Sequence, residues 1–575
     1  KLRMNGLIIV LTCAALLVAG LIGITLSVPL QAPAVILLGL AAFLAGAQIW
    51  KSGSAFVPDG DRYISEGFQP WGGVGQWLLG LSVVSIGYFV VRACLSPVLD
   101  LGVEDLMLIL PAGLLYLIAG HGLAGKSGAR FRQGLAWIVV ILLLMHLGSC
   151  LLQLGGGDGY SLASYFTSTS RPSQANIAGM YSYYGSFGNF GVIAGILCLS
   201  LGAWGRFGWG IRGIIFLLGL MALSFVVLSQ SRSAVVSMVL ALAVFGVMTY
   251  MSVAKQRDAL RTKVRVLVVA IVGLSLLLGL FAGVKVFQNR ANNASGADVV
   301  FDSGVRLAFW PMAVEQWQDN PIVGAGSRSY SYECFRYWSP NLSTAENNPE
   351  FVHNEYLQLL ADYGLIGLLC ILILIVGHLM MGVKRINSLS VRVGENGMRG
   401  GSNVMALTIA GVCGMTAMSV HIIFDFRTHL LANLLLLVCC AVWVLPVAKS
   451  IVRKSGSLED EKSGGGFVPE GDRYISEGFQ AWGKSRMGSY VLALVMMVLG
   501  FGAIGLGGHQ LWGGWPLIEN KIAKEDGAWD PSAVDREKWI SILKKSVERT
   551  PNFRRYLKLG TLYTLEAREK KGEEV

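Results

Sequence analysis

Long apolar runs separated by short polar segments make up most of the chain. Thirteen of these runs approach the roughly 20 residues that a helix needs to cross a bilayer. They lie at about 6–28, 32–49, 72–95, 105–121, 134–154, 185–203, 209–228, 233–253, 264–287, 357–383, 403–424, 429–448 and 488–508. The pattern predicts an all-α polytopic membrane protein with about thirteen transmembrane helices. We expect the first run to be a retained helix and not a removed signal peptide, because a second run follows almost at once.

Composition supports a membrane protein and excludes an ordinary soluble enzyme. Apolar residues make up 53% of the 575 residues and charged residues only 14%, whereas soluble proteins carry about 25% charged residues. The mean hydropathy is +0.56. The net charge is +11, and the basic residues lie in loops between apolar runs. This placement favours membrane lipid, and not nucleic acid, as the surroundings of these residues.

The basic residues also predict an orientation. Loops 50–71, 122–133, 254–263 and 449–487 are rich in Lys and Arg, and the loops that alternate with them are poor in both. Because Lys and Arg collect on the cytoplasmic side of a membrane, we expect the N-terminus in the cytoplasm. An odd number of spans then places the tail at 509–575 on the outer side.

One internal repeat lies between the spans. Segment 51–72 returns as segment 462–483 with four differences in 22 positions. Both copies fall in loops predicted to be cytoplasmic. We interpret the repeat as an amphipathic segment that lies at the lipid headgroups, with a docking site for a cytoplasmic partner as the alternative.

The charged tail at 509–575 follows a transmembrane domain predicted over 1–508. The tail has the proline-separated pair of helices that is typical of a tetratricopeptide unit. One such unit cannot bury its own apolar faces. We therefore expect either a fragment of a longer array or a helix pair that packs on the membrane domain.

The longest outward segment, 288–356, is predicted to contain an amphipathic helix over 304–318. The apolar face of that helix is predicted to consist of Leu307, Trp310, Val314 and Trp317. The helix is expected to end at Asp319-Asn320-Pro321, and Gly324 and Gly326 then form a turn.

Several charged side chains at the outer ends of the runs are candidates for chemistry. They are Arg232, Arg306, His353, Asp425 and His429. Two arginines suit a diphosphate, which guanidinium groups bind through paired hydrogen bonds, and a histidine beside it takes a proton from a hydroxyl nucleophile. The cluster predicts a lipid substrate with a phosphate-rich head. The alternatives are an arginine that extends to the headgroups and a histidine that only lies at the interface.

A longer stretch of sequence resembles a known family. From Arg306 through PIVGAGSRSY (321–330) to FVHNEYLQLLADYGLIGLL (351–369), it is similar to the signature of the O-antigen ligase and polymerase superfamily. SQSRSA around Arg232 and HIIFDFRTHLLAN (421–433) resemble two further motifs of that family, and Asn189 matches a weaker one. The resemblance covers about residues 180–450.

The resemblance implies an inverting glycosyl transfer without metal or cofactor, in the bacterial inner membrane, with the C-terminus in the periplasm. A glycan would leave an undecaprenyl diphosphate carrier for a hydroxyl of a glycan, a lipid A-core or a protein. Arg232 and Arg306 would bind the diphosphate leaving group, and His353 would orient or deprotonate the acceptor. The supporting residues would be Asn189, Asn354, Tyr356, Asp425 and His429.

Several activities fit this signature. Ligation to a lipid A-core belongs to lipopolysaccharide biosynthesis, polymerisation of repeat units serves an exopolysaccharide or O-antigen, and a protein O-oligosaccharyltransferase transfers the glycan to protein. A different class is a flippase or exporter of lipid-linked glycans, which would place charges near mid-membrane and show two related halves. A non-catalytic scaffold would use the repeat and the tail as docking sites.

Overall fold

The computed structural model describes residues 2–22, 27–52, 74–123, 125–156, 177–181, 183–253, 298–338, 350–396, 402–445, 486–520, 536–550 and 553–570. Within these residues the chain is helical and contains no β-strand, so the all-α prediction is confirmed. A helix forms hydrogen bonds between its own backbone amides and carbonyls, and the hydrocarbon of a bilayer offers no other partners for them. The longer helices are α1 (Leu2–Ile22), α2 (Val28–Ser52), α3 (Val74–Cys94), α4 (Leu99–Leu117), α5 (Gly125–Leu154), α6 (Tyr184–Trp204), α7 (Trp209–Leu228), α8 (Arg232–Val253), α9 (Asp298–Asp319), α10 (Glu355–Asn396), α11 (Asn403–His421), α12 (Leu431–Val444), α13 (Arg486–Glu519), α14 (Arg536–Arg549) and α15 (Phe553–Lys570).

Among the described residues, ten helices are long and apolar enough to cross a membrane. Each of them coincides with one of the thirteen predicted runs. The runs at 72–95 and 429–448 correspond to shorter apolar helices, Gly80–Cys94 within α3 and Leu431–Val444. The run at 264–287 lies outside the described residues. The protein is therefore a polytopic membrane protein, and the count of about thirteen spans stays a prediction.

Helices α2 and α13 pack against each other along small residues. A Cβ on Gly39 would lie 2.6 Å from the Gly500 carbonyl oxygen, and a Cβ on Gly500 would lie 2.6 Å from the Gly39 carbonyl oxygen. Gly46 approaches the carbonyl oxygen of Ala493 in the same way, at 2.7 Å. Small residues let the backbones of membrane helices come close, so this pair is fixed by direct backbone contact.

The last membrane helix is longer than expected. It continues past the predicted boundary at residue 508 and ends at Glu519. The two tail helices, α14 and α15, form an apolar cluster with Ile22, Leu30 and Leu517. The tail therefore packs on the membrane domain, at the end where α1 finishes and α2 begins. Its relation to tetratricopeptide units stays a prediction.

The repeated segments, 51–72 and 462–483, lie outside the described residues except for Lys51 and Ser52. Their interpretation as headgroup-binding or partner-binding segments stays a prediction. The same holds for residues 288–297 and 339–349 of the long outward segment.

Helix α6 lies at the centre of the bundle, packed against α7, α8 and α11. Every residue from Gly185 to Gly202 is buried. At one end of the bundle the starts of α2 and α4 meet Arg328 and His429 around a small cavity. We call this end, which also carries His353, the site end. The opposite end carries Arg132 and Arg385.

The predicted outward helix is present as α9, which is longer than expected because it begins at Asp298. Its apolar face differs from the predicted one. Among its described side chains, the buried apolar residues are Phe309, Met312 and Ala313. Trp310 and Trp317 are only partly buried. The reason is that α9 packs against α10 and against the helical turn at Tyr330–Glu333, which selects a different stripe of the helix.

Candidate functional site

The turn after α9 is bound to a break in α10. The break lies at Gly364, where φ is 65°. The backbone amides of Ala325 and Gly326 donate to the carbonyls of Ala361 and Asp362, each across 3.0 Å. The turn is therefore attached to α10 by backbone hydrogen bonds, which do not depend on the side chains of the turn.

Gly324 and Gly364 make this attachment possible. Their φ angles are 73° and 65°, a region that residues with a Cβ rarely adopt. A Cβ on Gly364 would collide with the Gly324 amide and with the Ile322 carbonyl. Close backbone contact thus explains why the turn at 321–326 has the spacing P-x-x-G-x-G. It also explains why a glycine, Gly364, follows Asp362 and Tyr363.

Asp362 holds the residues that follow the turn. Its Oδ1 accepts hydrogen bonds from Ser329 Oγ at 2.9 Å and from the Tyr330 amide at 2.8 Å, and its Oδ2 accepts one from Gln358 Nε2 at 2.7 Å. Gln358 Oε1 in turn accepts the Val352 amide at 2.9 Å. These bonds join the turn, α10 and the segment that leads into α10.

His353 lies just before α10, and its φ is 56°. Its ring stacks on Phe309 of α9 with the centroids 6.4 Å apart, and it meets the Phe426 ring edge-on at 4.9 Å. The side chain is 23% exposed. The imidazole is therefore held between two aromatic rings and is still reachable from the site end.

Asn354 and Tyr356, which were predicted as supporting residues, have structural contacts. Asn354 Oδ1 accepts the amides of Tyr356 and Leu357 at 3.0 and 3.2 Å, which caps the N-terminus of α10. Tyr356 OH donates to the Ser419 carbonyl of α11 at 2.9 Å. Both side chains fix the direction in which α10 leaves the histidine.

Asp425 faces His353 from the loop between α11 and α12. Its Oδ1 lies 3.7 Å from His353 Nδ1, longer than a hydrogen bond, while its Oδ2 forms a buried ion pair with Arg427. Arg427 also donates to Ser186 Oγ and lies 4.7 Å above the Tyr183 ring. Burial on its own would raise the pKa of the Asp425 carboxyl, but Arg427, with smaller contributions from His353 and His421, more than offsets it and holds that pKa well below its ordinary value. Asp425 is therefore an anion beside the imidazole.

His429 lies at the far end of the same loop. Its Nδ1 is 2.9 Å from Oε2 of Glu355, the second residue after His353. The structure thus places Asp425 and His429 in one loop, and this loop lies beside the start of α10, where His353 is located. Their predicted roles in the reaction stay predictions.

The two arginines predicted to bind the diphosphate lie at the site end on two other helices. Arg232 is exposed at the first residue of α8, and the adjacent Ser233 Oγ lies 3.1 Å from His421 Nε2 of α11. Arg306 lies in α9 one turn before Phe309, and its side chain is outside the described residues. Joint binding of a diphosphate by both arginines stays a prediction.

Asn189, the other predicted supporting residue, is buried in α6 one turn after Ser186. Within the described part of the chain, neither Nδ2 nor Oδ1 of its side chain has a hydrogen-bond partner. Its position next to the residue that binds Arg427 is compatible with a supporting role, which stays a prediction.

Comparison with known families identifies the segment that carries most of these residues. Residues 215–372 match the family described as O-antigen ligase. This match covers less than a third of the chain and supports the resemblance to the O-antigen ligase and polymerase superfamily. Together with the membrane-spanning helices, the match supports a membrane glycosyltransferase of that general type. No curated protein gives a match to the chain.

The O-antigen ligase domain runs from α7 to a point just beyond the break in α10, so it contains Arg232, Arg306 and His353. Asp425 and His429 lie beyond the matched residues. Among the described residues, no group of three or more His, Cys, Asp or Glu side chains is arranged to hold a metal ion. Metal independence stays a prediction.

Strained backbone conformations lie within the O-antigen ligase domain. In the described ranges, the non-glycine residues with positive φ are Gln230, Arg328 and His353, at 59°, 58° and 56°. They lie just before α8, in the turn after α9 and just before α10. Such conformations cost about 1–3 kcal/mol each and are found at functional sites, where the surroundings hold them in place.

Arg328 was not among the predicted site residues. Its side chain is 2% exposed and pairs with Glu104 at 3.3 Å and with Glu350 at 2.7 Å. Its guanidinium also lies 4.2 Å above the Phe351 ring. A signal was present, because Glu104 and Asp105 stand at the start of an apolar run, where acidic residues are costly unless they are paired. The sequence alone does not say which cation pairs with them.

Proposed function

We propose that the protein moves a glycan from an undecaprenyl diphosphate carrier to an acceptor hydroxyl at the outer face of the bacterial inner membrane. The observation that carries this proposal is the partly exposed His353 imidazole, which has the Asp425 anion at its Nδ1 side and belongs to an O-antigen ligase domain. The predicted orientation supports the choice of face, because the loops rich in Lys and Arg lie away from this end.

The two ring nitrogens of His353 have different roles in the proposed reaction. Asp425 faces Nδ1 and favours the tautomer that carries its proton there, which leaves Nε2 to accept a proton. The acceptor hydroxyl gives its proton to Nε2, and its oxygen attacks the anomeric carbon of the glycan. The bond from that carbon to the phosphate oxygen breaks, and the electron pair leaves with the diphosphate. Attack from the opposite side inverts the anomeric configuration.

The leaving diphosphate carries negative charge, which Arg232 and Arg306 are proposed to neutralise. Preorganised positive charge at a developing anion is usually a large catalytic contribution. Removing one such group costs on the order of 10²–10³ in rate. We expect Arg306→Ala to lose about this much and Arg306→Lys to lose less, because lysine keeps the charge without the paired hydrogen bonds. Equal rates for Arg306→Ala and the wild type would remove the arginine from the reaction.

The reaction has two candidate outcomes, ligation of a finished chain and polymerisation of repeat units. They are distinguished by the length of the glycan on the carrier lipid in cells whose only copy is His353→Ala. Long chains that remain on the carrier identify a ligase, because polymerisation has proceeded and transfer has failed. Single repeat units identify a polymerase. A glycan profile identical to that of the wild type overturns the proposed role of His353.

A further inference from the structure

A single residue, Glu355, holds both ends of the loop at 422–430. Its backbone amide donates to the Ile422 carbonyl at 3.0 Å. Its Oε1 accepts the Thr428 amide at 2.8 Å, and its Oε2 lies 2.9 Å from His429 Nδ1. The Glu355 side chain is 2% exposed, so these contacts are formed away from water.

This loop supplies Asp425 and Arg427, and Glu355 is the second residue after His353. Any shift of the loop along α10 therefore changes the distance between Asp425 Oδ1 and His353 Nδ1, which is 3.7 Å here. A misplacement of about 1 Å at a reacting group can cost on the order of 10² in rate. The contacts of Glu355 thus control a distance that matters for the chemistry.

We propose that Glu355 is a positioning residue for glycosyl transfer, and that its ion pair with protonated His429 holds Asp425 behind His353 and makes this alignment depend on pH. The proposal rests on the proposed role of His353 and deepens it. Glu355 does not touch the substrate in this scheme and acts only through the loop.

The groups that face His429 come from several elements. Glu355 approaches from α10. Arg328 from the turn after α9, and Glu104 and Asp105 from α4, line one small cavity together with His429. Burial on its own would lower the pKa of His429, but Glu355 outweighs it and raises that pKa above its ordinary value. Arg328 opposes this shift and Asp105 reinforces it. The carboxylates therefore favour the charged imidazole.

The raised pKa of His429 fixes the direction of the pH effect. The ion pair with Glu355 is fully formed below the ordinary histidine pKa of about 6.5. It is lost as the pH rises through the raised pKa of the folded protein. We therefore expect transfer activity and thermal stability each to lose a contribution on the alkaline side.

The test uses the full-length protein reconstituted in lipid vesicles, with its undecaprenyl-diphosphate-linked glycan as donor. Glu355→Gln keeps the size of the side chain and an oxygen for the Thr428 amide but removes the charge that faces His429. We expect kcat to fall by about ten- to a hundredfold and the alkaline fall in activity to disappear, while KM changes by less than about twofold.

His429→Lys keeps a cation opposite Glu355 and should retain activity with its alkaline fall moved to higher pH. Glu315→Gln, a change at an exposed carboxylate of α9, is the matched control and should behave like the wild type.

Thermal unfolding of the same variants, measured against pH, gives a second readout that does not need activity. If Glu355→Gln keeps the wild-type kcat and pH profile while His353→Ala is inactive, the positioning role is wrong and the proposed function stands. If Glu355→Gln lowers stability and activity by a factor that is the same at every pH, its role is only structural and the proposal is likewise wrong. If His353→Ala is as active as the wild type, the role of His353 on which this proposal rests is wrong, and if the wild type itself transfers no glycan, the proposed function fails.

Discussion

The two ends of the bundle use arginines in different ways. At the opposite end, Arg385 and Arg132 donate to backbone carbonyls at the C-terminus of α12, Arg385 to Trp443 and Val444 at 3.1 Å each and both arginines to Leu445. At the site end, Arg427 and Arg328 pair with carboxylates. A carbonyl bears only a partial charge, so these hydrogen bonds do not neutralise the arginines of the opposite end, whereas the carboxylates at the site end neutralise Arg427 and Arg328.

The arginines at one end stabilise a helix, and those at the other end position carboxylates. Arginines that cap helix ends stabilise the negative end of the helix dipole and, on the predicted orientation, keep positive charge on the cytoplasmic side. Arginines that pair with carboxylates fix those carboxylates in place. Asp425 is the one that stands beside His353.

Arg427→Ala should have the largest effect. It leaves the buried Asp425 anion without its cation, and removal of one partner from a buried ion pair costs about 3–5 kcal/mol. We expect a large drop in the thermal unfolding temperature in detergent together with loss of transfer activity. Arg427→Lys should recover part of the stability because it restores the charge. An Arg427→Ala variant as stable as the wild type would show that the pair does not hold the loop.

Gly364→Ala should come next, because it tests the backbone attachment of the turn to α10. A Cβ there collides with the Gly324 amide and the Ile322 carbonyl, and it must adopt a positive φ. We expect a loss of about 2–4 kcal/mol in stability and faster proteolysis in the turn. Gly502→Ala is the control, since a Cβ at Gly502 in α13 meets nothing within 4 Å. Equal protease resistance of the two variants would contradict the attachment.

Arg385→Ala should have the smallest effect and should affect stability alone. It removes hydrogen bonds to the end of α12, worth about 1–2 kcal/mol, and Arg132 still donates to Leu445. We expect a modest drop in unfolding temperature and a kcat close to that of the wild type. A kcat that falls as far as in Arg427→Ala would remove the distinction between the two ends.

Much of the fold was predictable because apolar periodicity and length are local properties of the sequence. The end of α9 at Asp319 and the turn at Gly324 and Gly326 follow from turn chemistry, and the structure has both. The end of the last membrane helix was not predictable from its apolar run. The helix continues to Glu519 because the tail packs against it, through bonds such as Ser546 Oγ to the Gly513 carbonyl at 2.7 Å.

The candidate site was predictable only in part. The sequence pattern places both His353 and Asp425 among the charged side chains at the outer ends of the apolar runs, and the structure brings the two within 3.7 Å. The partners that hold them were not predictable, because Glu355 and Thr428 are 73 positions apart in the chain. A pairing over that distance is decided by tertiary packing, which no local pattern encodes.

The measurement that tests the pairing of His353 with Asp425 most directly is a double-mutant cycle on kcat/KM for glycan transfer. The variants are His353→Ala, Asp425→Asn and the double variant, all reconstituted in lipid. We predict that Asp425→Asn alone loses on the order of 10²-fold and that the double variant is no slower than His353→Ala within about twofold, because Asp425 acts only through the imidazole. Losses that multiply in the double variant would contradict the pairing and would show that the two residues act independently.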